Sequence, residues 1–209
     1  MRSLRNRWAT MVVLALVLAS GCMSFRQGGT KVSGTWPMPS PAVRQRVSLV
    51  LRHEVVLGGK PTEPNPVGTE QIRQIVMRAY QDANIFGSVR PGMAAGGNEF
   101  QVDITVVNEG TPNIGLAILS GLTLTLIPAV ATDGFVMRTA VRGADGSVLA
   151  EVEHRDALRT WIQLFLIFGT FAASPNAVAE SILYDMARAS IQDLDARGAW
   201  SPRQPQQGP

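Results

Sequence analysis

Hydrophobic and polar positions alternate most cleanly between Phe100 and Val106. Phe100, Val102, Ile104 and Val106 fall on one face, and Gln101, Asp103 and Thr105 on the other. A period of two residues predicts a strand with one buried and one wet face. Val47 to Leu57 repeats the pattern: Val47, Leu49, Leu51, Val55 and Leu57 face one way, Arg52 and Glu54 the other. The proline cluster Pro61, Pro64 and Pro66 ends that strand. The period then changes. Ile72, Ile75, Val76, Ala79, Ala83 and Phe86 form a helical stripe, with Thr69 as the expected N-cap and Gly87 as the stop. Ser88 to Arg90 reads as a short strand, followed by a turn over Gly92–Gly97.

Two Asp-Gly pairs, Asp133-Gly134 and Asp145-Gly146, predict tight turns. They divide the following stretch into a meander of about Leu122–Ala131, Phe135–Arg142 and Val148–Arg155. A second helix is expected from Ser174 as N-cap and Pro175 as its first residue, because proline is pre-organised for that position. Its buried row is Val178, Ile182, Met186 and Ala189, and Gly198 follows its end. These elements predict an α+β fold: a mostly antiparallel sheet with two amphipathic helices packed on one face.

Outside this domain the composition shifts. Arg2, Arg5 and Arg7 precede an apolar run from Trp8 to Ala19 that only Thr10 interrupts, and Leu18-Ala19-Ser20-Gly21 leads to Cys22, the only cysteine of the 209-residue chain. Basic start, short apolar run and small residues are the marks of an export signal. With its cysteine at that spacing, the segment resembles the lipobox of bacterial lipoproteins. The resemblance implies cleavage before Cys22, diacylglycerol on its sulfur and acylation of the new amino terminus. One acyl chain holds a protein only marginally, whereas two or three hold it firmly. Met23 and Ser24 follow, with no aspartate. In enteric-type sorting this implies the outer membrane, with the domain facing the periplasm.

The chain thus divides into a signal peptide (1–21), a lipidated cysteine with a flexible tether (22–46), a single domain (47–197) and a disordered tail (198–209). The tether contains Pro37, Pro39 and Pro41, and residues 23–46 fully stretched would reach about 80 Å. The domain's element order also resembles a loose group of envelope lipoproteins: the lipopolysaccharide-assembly, penicillin-binding-protein activator and curli secretion lipoproteins. No functional residue carries over from that resemblance.

Charge changes meaning once the signal is set aside. The whole chain carries 19 Lys and Arg against 16 Asp and Glu, with an isoelectric point near 9.6. All of the excess sits in the three arginines before Cys22, so the mature chain is balanced at 16 of each sign. No basic run with interleaved aromatics exists, and no nucleic-acid partner is expected.

Candidate chemistry is sparse. His53 lies on an apolar strand face and His154 near Glu151 and Glu153, but on the opposite face from them. Isolated histidines of this kind are more often packed or surface residues than ligands. The sequence contains no Gly-rich phosphate loop with Lys-Ser/Thr, dinucleotide fingerprint, Gly-x-Ser-x-Gly elbow or HExxH motif. No catalytic residue, metal or cofactor is expected.

The unusual features are two charge-free segments, Ile114–Ala131 and Trp161–Ala173. They fit buried core, a marginal membrane span broken by Gly115, Gly121 and Pro128, or an exposed surface that meets membrane, partner or a second copy. The alternation of Leu122, Leu124 and Leu126 would also suit a strand of an oligomeric barrel. The expectation is a non-enzymatic accessory or assembly factor of the envelope, held to the membrane by its lipid. It would contact a protein partner, lipid or another subunit through Leu122, Leu124, Leu126, Trp161, Phe165 and Phe168. A subunit of a membrane-inserted export channel is the alternative, and a periplasmic enzyme comes after it.

Overall fold

A computed structural model describes residues 21–96, 99–112, 129–163 and 174–200. In chain order the strands are β1 (Gly21–Arg26), β2 (Gln45–Leu57), β3 (Lys60–Thr62), β4 (Phe86–Pro91), β5 (Glu99–Pro112), β6 (Ala129–Arg142) and β7 (Val148–Gln163). Helix α1 (Pro66–Asp82) follows β3, and α2 (Pro175–Ala196) follows β7.

The fold is α+β, and its single seven-stranded sheet is mixed. The order is β1-β7-β6-β5-β2-β3, with β4 also paired to β2. Strands β5, β6, β7 and β1 are antiparallel neighbours, but β2 runs parallel to both β4 and β5. Four of the six pairings are antiparallel, as expected of a mostly antiparallel sheet, and the two parallel ones both involve β2. The β2–α1–β4 and β2–α1–β5 connections are crossovers, and a crossover returns the chain in a parallel sense.

Alternation sets the buried face. Phe100, Val102, Ile104 and Val106 of β5 are buried, as are Val47 and Leu49 of β2 and Met137 and Val141 of β6. They share one core with Ile72, Val76, Ala79 and Tyr80 of α1 and with Ile182, Leu183, Met186, Ile191 and Leu194 of α2. The opposite face carries ion pairs, among them Arg142 to Asp103 and Arg138 to Glu153.

Helix α1 starts a turn earlier than its stripe suggests. Asn65 is the N-cap, accepting from the Val67 N–H at 2.9 Å, and Pro66 opens the helix. Thr69 lies inside the first turn. At the other end, Phe86 belongs to β4 rather than to the helix. Helix α2 starts as expected, with Ser174 Oγ accepting from the Ala177 N–H.

Three other expectations are overturned. Asp133-Gly134 lies within β6, opposite Gly110 and Glu109, so it extends a ladder instead of turning it. Only Asp145-Gly146 makes a turn, where the Gly146 N–H donates to the Gly143 carbonyl and Gly146 adopts φ +77°.

The expected tether is also docked. Ser24 Oγ and Thr160 Oγ1 hydrogen-bond at 2.7 Å in a buried site. Arg26 reaches both Asp156 and Asp185. The Gln27 and Gly28 N–H groups donate to the Ala157 carbonyl. Gly28 lies so close to Asp156 that a Cβ there would collide with its carboxylate and backbone, so only glycine fits. Further along, the Trp36 indole N–H donates to the Tyr184 hydroxyl at 3.0 Å, and the Met38 N–H to the Ala83 carbonyl.

The start of the expected tail is core. Trp200 is buried edge-on against Phe86, with ring centroids 5.0 Å apart, and against Phe100. Residues 201–209 lie outside the described residues.

Candidate functional site

Strand direction brings the unusual parts of the sequence to one end of the sheet. Strand β5 ends there at Pro112, which pairs with Ala131 near the start of β6. Strand β7 ends there at Gln163, opposite Gly21, while Cys22 and Ala129 both pair with Ile162 from its two sides. The residues that flank 113–128, the last described residue before 164–173 and the cysteine of the lipobox-like segment therefore stand together. The opposite end carries the Asp145-Gly146 turn and Trp200.

Of the expected contact residues, Trp161 is described. It lies in β7 between Met23 of β1 and Val130 of β6. It is half-buried, with the Arg159 guanidinium 5.9 Å from its ring centre. An aromatic ring with a cation alongside suits the boundary between apolar medium and water. Leu122, Leu124, Leu126, Phe165 and Phe168 lie outside the described residues. So do most of the two charge-free segments, although Ala129–Ala131 and Trp161–Gln163 are strand.

Arg26 fixes β1 onto this frame. Its Nε donates to Asp156 Oδ2 at 2.8 Å, and its second arm reaches Asp185 of α2. The side chain of Asp156 is fully buried, and it also accepts from the Thr30 and Ala157 N–H groups. Burial pushes its carboxyl pKa up, but the hydrogen bonds from Arg26, Thr30 and Ala157 outweigh that and hold it below the usual value.

A second arrangement at the same end is a cleft of about 790 Å³. Val55, Leu57, Ile72, Ile75, Phe135 and Leu183 supply its apolar wall. Arg78 of α1 and Glu180 of α2 also line it, joined by an ion pair at 2.6 Å.

His53 and Asn108 line this cleft from neighbouring parallel strands, with Asn108 opposite Val55. His53 Nε2 and Asn108 Oδ1 are both buried without a hydrogen-bond partner. His53 Nδ1 and the Thr69 hydroxyl hydrogen-bond at 2.9 Å, and the same hydroxyl lies 3.1 Å from the Asn65 carbonyl. Burial lowers the His53 pKa, which favours the neutral ring. The sequence marks His53 as a polar residue on an apolar strand face; nothing in it marks Asn108.

His154 lies 3.5 Å from Asp193, yet Nε2 makes no hydrogen bond. Burial lowers its pKa, and the nearby Arg197 adds to that while Asp193 opposes it. It is a packed, neutral histidine. Among the described residues no group of three or more His, Cys, Asp or Glu side chains could hold a metal ion. Among them, no helix is long and apolar enough to cross a membrane.

No protein-family model matches the sequence, and no curated protein matches it. Several solved structures resemble the chain distantly, two of them as follows. A dodecamer of a PelC point variant from Paraburkholderia phytofirmans is 12% identical, covering 82% of this chain and 98% of its own, with a TM-score of 0.29. A neuraminyllactose-binding hemagglutinin homologue from Helicobacter pylori is 6% identical, covering 78% of this chain and 90% of its own, with a TM-score of 0.37. Likeness at that level carries neither a family nor a function to this chain.

Proposed function

We propose that this protein is a non-enzymatic lipoprotein of the bacterial outer membrane, facing the periplasm, that serves as an accessory or assembly factor in the envelope. Both helices cover one face of the sheet and share its core. The end of the sheet that carries Cys22 meets the membrane, and a protein or lipid partner binds there.

One observation carries this reading: Cys22 shares a sheet end with the boundaries of the two charge-free segments. Acyl chains on Cys22 would bring that end to the bilayer. Because residues 23–30 are held against β7, little slack separates lipid from domain. The half-buried Trp161, with Arg159 beside it, stands next to that anchor.

The test is fractionation of cells expressing the native chain or Cys22→Ser, with labelled palmitate as a second readout. The native chain should carry label and follow outer-membrane markers. The variant should lose the label and leave the membrane fraction after a salt wash. A variant that stays membrane-bound, or a native chain without label, overturns the anchoring role of Cys22.

A further inference from the structure

We propose that residues 22–44 form a releasable strap, which undocks from the domain as one unit while the sheet and both helices stay folded. The release is a property of the chain itself. Its consequence, a change in the distance between anchor and domain, rests on the membrane reading.

The strap runs from β1 across α2 to the end of α1. Arg26 reaches Asp185 of α2 as well as Asp156. Further along, Trp36 donates its indole N–H to Tyr184, whose hydroxyl donates to Asp82 of α1. The Arg188 guanidinium stands 5.1 Å from the Trp36 ring centre and donates to the Gly34 carbonyl. The Met38 N–H donates to the Ala83 carbonyl, and the Asn84 amide to the Met38 carbonyl. Tyr184, Asp185 and Arg188 lie within about one turn of α2. The fastenings at Arg26 and at Trp36 therefore share one foothold, which is why they release together.

Two features weaken the docked form. Its contacts are mostly polar and shallow: of residues 23–44 only Ser24 is fully buried. Trp36 and Met38 pack against the main core from outside and are not enclosed by it. In addition, Arg188 Nε and Gln192 Oε1 are buried without a hydrogen-bond partner, and both side chains lie against the strap at Gly34. Covering a polar group without pairing it is costly, and release returns both to water. Docked, the strap leaves little slack between Cys22 and the sheet. Released, residues 22–44 span up to roughly 75 Å at about 3.3 Å per residue. The same anchor then holds the domain against the bilayer or well away from it.

Residue-resolved hydrogen exchange on the full-length protein in lipid nanodiscs tests the strap. The Gln27, Gly28 and Met38 amides should show matching protection, about a hundredfold or more below that of β2 and β5. Trp36→Ala should accelerate all three by a common factor of about ten, the size expected for one hydrogen bond and one cation–π contact, and leave β2 and β5 as they were. Asp156→Ala, at the other fastening, should accelerate Met38 along with Gln27 and Gly28. Gln192→Met keeps the side-chain length but drops the unpaired acceptor, and should slow all three.

Strap amides as protected as those of β5 overturn the proposal. So does acceleration confined to Met38 in Trp36→Ala, or to Gln27 and Gly28 in Asp156→Ala. Unchanged or faster exchange in Gln192→Met overturns the account of why the strap opens. If Trp36→Ala does not fold, Trp36→Phe, which keeps a ring without the N–H, supports the same comparison. A dye on Val67→Cys, an exposed position, reads the reach by energy transfer to headgroup-labelled lipid. Transfer should fall when Trp36→Ala and Asp156→Ala are combined, and unchanged transfer overturns the change in reach. A native chain without palmitate would instead overturn the anchor, and the exchange data would still decide the strap.

Discussion

Replacing Asp156 with alanine should free β1 from the sheet without unfolding the domain. In the native chain the buried carboxylate accepts from Arg26 and from the Thr30 and Ala157 N–H groups. Removing one partner of a buried ion pair costs about 3–5 kcal/mol. The lower end applies, because Arg26 keeps Asp185 and is 27% exposed, so water solvates part of the freed charge. Among the described residues strand β1 pairs only with β7, and the main core lies elsewhere. About 3 kcal/mol is therefore lost from local opening of β1, which corresponds to amide exchange faster by about two orders of magnitude there.

Hydrogen exchange resolved by residue tests this. Amides of residues 22–30 should accelerate by that factor, while those of β2 and β5 stay within a few-fold of native. The pH dependence has a definite sign. The native-state pKa of Asp156 is depressed, so its contribution is fully present above the unfolded value near 3.9 and disappears as pH falls through the folded value. The alanine variant should lack that acid-dependent loosening of β1. Exchange in β1 that changes less than threefold would refute the view that this cluster docks the segment, as would equal acceleration throughout the sheet.

Trp200→Ala should lower global stability by about 3 kcal/mol, read as a reduced urea midpoint, because the ring is buried against Phe86 and Phe100. Glu99 should sharpen acid sensitivity at the far end of the sheet. Arg90, the Ala95 N–H and the Ser48 hydroxyl hold its pKa down to about 2. Its contribution is complete above about 4.3 and fades as pH falls toward 2. Glu99→Gln should therefore unfold more readily at pH 7 and show a flatter midpoint between pH 4 and 2; an unchanged profile would contradict this.

The parts legible in the sequence are those whose cause is local. The β5 alternation, the Ser174-Pro175 helix start and the Asp145-Gly146 turn each depend on neighbours a few residues away. What was not legible depends on distant partners. Residues 22–30 look like linker because the groups that hold Ser24 and Arg26, namely Thr160 and Asp156, are about 130 residues further on. Trp200 looks like tail because Phe86 and Phe100 are equally remote. Asp133-Gly134 has the composition of a turn, but register with Gly110 and Glu109 keeps it extended. Parallel pairing of β2 with β5 leaves no mark in either strand. In the candidate cleft the sequence exposes His53, while its neighbour Asn108 comes from the fold alone.

The central claim is that the end of the sheet bearing Cys22 faces the bilayer. Photo-crosslinking amino acids at Val130 and Trp161, near that end, and at Asp145 and Met93, away from it, test this in native membranes. The account predicts strong lipid adducts, or a single partner, from Val130 and Trp161 and little from Asp145 and Met93. Equal labelling at all four positions, or stronger labelling at Asp145 and Met93, would contradict it.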